Sequence, residues 1–180
     1  METQTRTRLS PEFFARKAEE VARDLLSRSI LRKLPNGEIL DALIVKTAAY
    51  EGGKITPTRN GMLYAPGTIF LMPYRGFTSL NIATDRSEFP SCVEIRSGAL
   101  NWRTLTAPGD QIKEQITIET PYKLAKELYL SVKDDAPKGH NLDNVLIGEK
   151  LWFEGERTNE EIKFIRPSEA SDNCLGYYYF

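Results

Sequence analysis

The stretch SILRKLPNGEILDALIVKTAAY, residues 29–50, has the pattern of a β-hairpin with a long second strand. An apolar run leads into Pro-Asn-Gly, a strong turn signal, and a second run rich in Ile, Leu and Val follows. Because side chains alternate across a strand, Ala48 and Tyr50 are expected on one face of it. The hairpin therefore presents both side chains to the same surface.

The segments around this hairpin predict an α+β protein. Ser10-Pro11 and Thr120-Pro121 are helix starts, with a hydroxyl side chain free to cap and proline in the first turn. After the first start, an apolar helical face is indicated by the spacing of Phe14, Ala18, Val21 and Leu25. Strands are indicated by TIFLMP, GFTSLNIAT, CVEIRSGAL, NVLIGEKLWFEG, EIKFIR and GYYYF. Strands outnumber helices and are joined mostly by turns, so we expect a mainly antiparallel sheet.

Composition excludes several kinds of protein. The 180 residues are 41% hydrophobic and 27% charged, as in ordinary globular proteins, and no apolar run is long enough to cross a membrane. Cys92 and Cys174 lie far apart, which argues against a disulfide framework or a thiolate metal site. His140 is the only histidine and lies in a loop-like segment. P-loop, dinucleotide-binding, CxxC and GxSxG motifs are absent. We expect no metal and no cofactor.

Charge is unevenly distributed along the chain. The net charge is −1, but residues 1–109 carry 15 Lys and Arg against 11 Asp and Glu. Between Gly52 and Thr84 there is no acidic residue, while Lys54, Arg59 and Arg75 are basic. A locally basic surface on a nearly neutral protein can contact phosphates, although a chance gap in the acidic residues would give the same count.

Several strings, taken in order, resemble the alkylpurine (3-methyladenine) DNA glycosylase family. They are IVKTAAY, TPTRNGMLYAPGT, YRGFTSLNI, CVEIRSGAL and TPYKLAKEL, and the resemblance runs from about residue 10 to the C-terminus. It implies one α+β domain over residues 1–180 with a curved, mainly antiparallel sheet and flanking helices, similar to the formyltransferase C-terminal domain-like fold. It also implies a monomer that binds double-stranded DNA, flips a damaged purine into a pocket and hydrolyses its N-glycosidic bond. The compartment implied is intracellular, cytoplasmic in a prokaryote or nuclear in a eukaryote, with no membrane contact.

The resemblance assigns roles to individual residues. Tyr74 matches the wedge that fills the gap left by the flipped nucleotide, and Tyr50 matches the ring that stacks on the base. Asn81 matches the asparagine that disfavours a guanine amine, and Arg96 the arginine near the sugar and the water. From the residues alone, Tyr74 could be a rim aromatic, Tyr50 a core tyrosine and Arg96 half of a structural ion pair.

Three basic residues are candidates for contact with DNA. Arg75 replaces a glycine that is usual in the family and could reach a phosphate. Lys54 and Arg59 lie in the loop that, in the family, passes close to the DNA backbone. General phosphate contacts are expected of these residues, without sequence preference.

The departures from the family concern catalysis. The general-base glutamate falls on Ala48, whose methyl group cannot deprotonate water. Glu51 could substitute if Gly52-Gly53 re-aimed it, although alternation points it away from Tyr50. The segment after Tyr50 has no histidine for base stacking, and Leu71 or Met72 takes the place of a second pocket tyrosine. Glu94 shares a face with Arg96, which favours an ion pair or a surface group.

Three functions remain open from the sequence. The first is a glycosylase of reduced or redirected activity, acting on cationic methylpurines whose glycosidic bond is already weak. The second is a non-catalytic protein that binds damaged DNA. The third is a domain of the same fold that binds another small ligand, which the modest net charge would suit.

Overall fold

The computed structural model describes residues 7–51, 64–74, 77–85, 91–103, 115–130, 151–158, 161–165 and 174–179, with the backbone alone at 73–74 and 102–103. Within them lie two short N-terminal helices, α1 (Pro11–Phe14) and α2 (Ala18–Leu25), and a third, α3 (Pro121–Glu127). The strands, in chain order, are β1 (Ser29–Lys33), β2 (Ile39–Glu51), β3 (Ile69–Tyr74), β4 (Phe77–Thr84), β5 (Ser91–Arg103), β6 (Gln115–Ile118), β7 (Leu151–Glu154), β8 (Lys163–Ile165) and β9 (Cys174–Tyr179).

All strands join one curled antiparallel sheet. Its main path runs β3-β4-β5-β2-β1-β7, with β6 paired to β5 and β8 paired to β9. Strand β2 is long enough to pair with β5 along one edge, and with β1 and then β9 along the other. Three short helices on a mainly antiparallel sheet confirm the predicted α+β class.

The β1–β2 hairpin forms as its turn signal predicts. Lys33 pairs with Ile39, and the Leu34 N–H donates to the Glu38 carbonyl oxygen at 2.8 Å. Gly37 has a φ of +87°, in the left-handed region that glycine reaches without a Cβ clash. The turn chemistry therefore sets the register of the two strands.

The helix start at Ser10-Pro11 and the apolar face from Phe14 to Leu25 both form, but the face is divided between two helices. The chain leaves the helical conformation after Phe14, and the carbonyl oxygens of Phe14 and Arg16 accept the backbone N–H of Asp85. Contact with the end of β4 thus replaces the hydrogen bonds of an unbroken helix. The Ser10 side chain makes no cap hydrogen bond, although Pro11 does open the first turn.

The sheet has two faces with different contents. The helices cover the first, here called the helix face, and the main apolar core lies between them. Thr47, fully buried, donates its hydroxyl to the Ala22 carbonyl oxygen at 2.8 Å, which ties α2 to β2. On the α3 side, a Cβ at Gly98 would lie 3.1 Å from the Leu124 side chain, so glycine permits that close approach.

The opposite face, here called the second face, carries a smaller cluster. Its buried members are Phe70, Ala83 and Cys92, and Tyr50, Tyr64 and Met72 pack against them. No helix in the described part of the chain is long and apolar enough to cross a membrane.

The remaining strands agree with their sequence patterns, with one omission. TIFLMP, GFTSLNIAT and CVEIRSGAL form β3, β4 and β5, and EIKFIR and GYYYF contribute β8 and β9. LWFE forms β7, while the NVLIGEK part of the predicted late strand lies largely outside the described residues. Strand β6, QITI, was not predicted from the sequence.

Candidate functional site

One row of side chains crosses five strands on the second face. Phe70 of β3 pairs with Asn81 of β4, Asn81 with Glu94 of β5, Glu94 with Ala48 of β2, and Ala48 with Tyr177 of β9. Directly opposite residues of antiparallel strands project to the same face, about 5 Å apart at Cβ. The row therefore brings an amide, a carboxylate, a methyl group and aromatic rings together.

A carboxylate network lies at the centre of this row. Arg96 Nη1 donates to Glu94 Oε2 at 2.6 Å, and the Tyr50 hydroxyl donates to the same oxygen at 3.2 Å. Arg96 Nη1 also lies 3.5 Å from the Tyr50 hydroxyl oxygen. The Glu94 side chain is 12% exposed and that of Arg96 is 29% exposed. The sequence left two roles open for Glu94, an ion-pair partner or a surface group, and the structure shows the ion-pair partner.

Burial and charge shift the protonation of the neighbouring groups. Burial, followed by the Glu94 charge, raises the pKa of Tyr50 well above its usual value, so its hydroxyl keeps its proton. Burial would lower the pKa of Arg96, but Glu94, together with Tyr50 and Tyr177, outweighs this effect, so the pKa is raised. Arg96 and Tyr50 therefore act as a cation and a neutral donor toward Glu94.

Tyr177 adds a second aromatic ring that sequence reasoning missed. The guanidinium carbon of Arg96 lies 5.1 Å from the Tyr177 ring centroid, and Lys46 Nζ lies 5.7 Å from it. Both distances suit cation–π contacts. Alternation within GYYYF separates Tyr177 from Tyr178, but only the pairing of β9 with β2 brings Tyr177 next to Ala48.

Asn81 is buried and its amide is held by protein partners. Its Nδ2 donates to the Ser79 carbonyl and hydroxyl oxygens at 3.2 and 3.0 Å. The Cys92 thiol points at Asn81 Oδ1, 3.9 Å away, and burial raises the pKa of that thiol. These contacts fix the orientation of the amide at one end of the row.

Ala48 is fully buried, between Glu94 on one side and Tyr177 on the other. Met72 is half-buried and packs against the second-face cluster, whereas Leu71 belongs to the core on the helix face. Of the two aliphatic candidates for the lost pocket tyrosine, Met72 is therefore the one on the face of Ala48 and Tyr50.

The other predicted residues are only partly described. Glu51 is exposed and pairs with Ser91, one position beyond Tyr50, so alternation directs it away from the row. The Tyr74 backbone pairs with Phe77 at the turn end of the β3–β4 hairpin. The Tyr74 side chain lies outside the described residues, as do Lys54, Arg59, Arg75 and His140 in full.

A groove of about 470 Å³ lies elsewhere, on the helix face. Its lining consists of Glu19, Arg23, Arg157, Ile162, Phe164 and Tyr178. None of the site residues predicted from the sequence lines it. Among the described residues, no three His, Cys, Asp or Glu side chains come together as metal ligands.

Comparison with known proteins shows the family of the chain. A family model described as methylpurine-DNA glycosylase matches residues 12–168. A human protein named DNA-3-methyladenine glycosylase is 35% identical over 102 residues, which cover 51% of this chain and 34% of the human one. The mouse and rat proteins of that name are 29% and 28% identical over 71% and 82% of this chain.

The aligned regions span only 34 to 51% of the length of these three mammalian proteins. The family match, in contrast, includes all the strands of the row except β9, and it covers most of the chain. This chain belongs to the methylpurine-DNA glycosylase family.

Proposed function

We propose that this protein is a DNA-repair glycosylase that binds duplex DNA and removes a damaged purine at the row of side chains on the second face. The row of Asn81, Glu94, Ala48 and Tyr177, with Tyr50 and Arg96 beside it, is the observation that carries the proposal. The family membership and the names of the mammalian relatives support it.

The row offers what recognition of a flipped purine requires. Tyr50 and Tyr177 are half-buried rings on neighbouring strands, and a flipped base can stack on such rings. A cationic methylated purine gains additionally from an aromatic face. The Asn81 amide lies in the same row, where Ser79 and Cys92 hold it in a fixed orientation. Tyr74 lies at the end of a hairpin, the position from which a wedge can enter the duplex.

Hydrolysis needs a water molecule, a carboxylate to take its proton, and stabilisation of an oxocarbenium-like transition state. Glu94 supplies a negative charge on this face, and Arg96 lies 2.6 Å from it. A methylated purine cation leaves as a neutral base, so it demands less of the protein than a neutral lesion does. Cationic lesions are therefore the proposed substrates, and hypoxanthine, a neutral base, should be released much more slowly.

A second candidate is binding of damaged DNA without excision. Ala48 favours it, because the resemblance places the general base there and an alanine cannot serve. The two functions share the row of side chains and the wedge and differ only in chemistry. Excision assays therefore separate them, whereas binding assays do not.

The test combines binding with excision. Affinity is measured for a duplex with an abasic-site analogue and for an intact duplex over a range of salt concentrations. We expect tighter binding to the abasic duplex, affinity that falls with salt, and a smaller preference in Tyr74→Ala. Equal affinity for both duplexes at every salt concentration would refute DNA-lesion recognition and leave a domain for another ligand.

Excision is measured under single-turnover conditions on duplexes that contain 3-methyladenine, 7-methylguanine or hypoxanthine. Release of the methylated bases, with hypoxanthine at least about 100-fold slower, is the expected outcome. Abasic-duplex binding without release of any base would favour the non-catalytic function.

A further inference from the structure

We propose that Glu94 is the general base of this protein, working from the strand adjacent to the one that carries Ala48. The inference rests on the proposed glycosylase function and names the residue that performs its chemical step. It starts from the register of the sheet, in which Glu94 of β5 lies directly opposite Ala48 of β2.

The pairing places the Glu94 carboxylate where a side chain at position 48 would also project. Cβ atoms of directly opposite residues are about 5 Å apart and point to the same face. A glutamate side chain extends about that far, so a carboxylate on either strand can reach the same part of the face. A carboxylate moved from β2 to β5 in this row would still lie among Tyr50, Tyr177 and Arg96.

The contacts of Glu94 suit proton abstraction. Both hydrogen bonds described for its carboxylate, from Arg96 and from the Tyr50 hydroxyl, fall on Oε2. Among the contacts between described residues none falls on Oε1, and we assign that oxygen to the nucleophilic water. The guanidinium at 2.6 Å and the tyrosine hydroxyl hold the carboxylate in place and limit its rotation.

The chemical step balances with water as the only co-reactant. Glu94 Oε1 accepts a proton from water, and the water oxygen forms a bond to C1′ of the deoxyribose. The C1′–N9 bond breaks, and its electron pair leaves with the purine. A cationic methylpurine departs as a neutral base, and the proton on Glu94 then passes to solvent.

The discriminating experiment compares single-turnover release of 7-methylguanine by four proteins. They are the parent, Glu94→Gln, Glu51→Gln for the competing carboxylate, and Glu127→Gln as a control on the exposed side of α3. We expect release by Glu94→Gln to fall at least about 100-fold, while its binding to an abasic-analogue duplex changes less than about twofold. The control should match the parent.

An exchange variant, Ala48→Glu with Glu94→Ala, distinguishes loss of the general base from misfolding of the Glu94→Gln protein. This variant places the carboxylate on β2, the adjacent strand, on the same face. We expect it to release 7-methylguanine at least about tenfold faster than Glu94→Ala does. A role for Glu94 that is only structural would not be rescued from position 48.

The outcomes separate the two proposals. If the parent releases 7-methylguanine and Glu94→Gln releases it equally fast, Glu94 is not the base and the proposed function still stands. A loss in Glu51→Gln instead would also overturn the inference. If the parent releases no damaged base at all, the proposed function fails, and the inference fails with it.

Discussion

Ala48→Glu should be destabilising in the parent background and tolerated once Glu94 is removed. The substitution places a second carboxylate directly opposite the first, with Cβ atoms about 5 Å apart. For two unit charges at this distance and an effective dielectric constant of about 20, the repulsion is about 3 kcal/mol. Arg96 lies beside Glu94 and offsets part of it, so we expect a coupling of about 2 kcal/mol.

A double-mutant cycle isolates this coupling, because the free-energy cost of fitting a longer side chain at buried position 48 cancels between its two halves. Its corners are the parent, Ala48→Glu, Glu94→Ala and the exchange variant, and the free energy of unfolding is measured for each by urea at pH 7. Ala48→Glu should lose more stability in the parent than in the Glu94→Ala background. The unfavourable coupling should shrink as the pH falls and the carboxylates become protonated, because neutral groups do not repel.

A coupling smaller than about 0.5 kcal/mol would refute the geometry, since independent sites are additive within that range. It would mean that positions 48 and 94 do not face each other. The assignment of Glu94 as the base would then lose its structural foundation.

Two further predictions concern the packing of the sheet. Thr47→Val should lower the free energy of unfolding by about 1–2 kcal/mol in urea, because the Ala22 carbonyl oxygen loses its donor at 2.8 Å; an unchanged value would show that this bond does not hold α2. Burial, with a contribution from Glu19, raises the pKa of Tyr178 to about 12. The folded state therefore favours the neutral phenol. Its contribution to the free energy of unfolding should be complete below pH 10 and should be lost as the pH rises from about 10 to 12. Phenolate absorbance of the parent minus that of Tyr178→Phe should show this midpoint, and one near 10 would contradict the burial of the hydroxyl.

Local chemistry made much of the fold predictable. The β1–β2 hairpin follows from its Pro-Asn-Gly turn and flanking apolar runs, and α3 follows from Thr120-Pro121. The break after Phe14 could not be predicted, since it depends on hydrogen bonds from Asp85, about 70 residues away in the sequence. Such long-range contacts leave no local periodicity.

The face on which each site residue lies could be predicted strand by strand, but the pairing of residues between neighbouring strands could not. Alternation correctly placed Ala48 with Tyr50, and Glu94 with Arg96. Which residue of β5 lies opposite Ala48 cannot be derived from either strand alone, and a shift of one residue would send every side chain to the other face. The adjacency of Glu94 and Tyr177 to Ala48 therefore emerged only from the paired sheet.

The most direct test of the account is single-turnover release of 7-methylguanine from duplex DNA by the parent protein and by Glu94→Gln, measured side by side. We expect release by the parent and a loss of at least about 100-fold in the variant, with both proteins binding an abasic-analogue duplex equally well. Absence of release by a parent protein that binds this duplex would contradict the account.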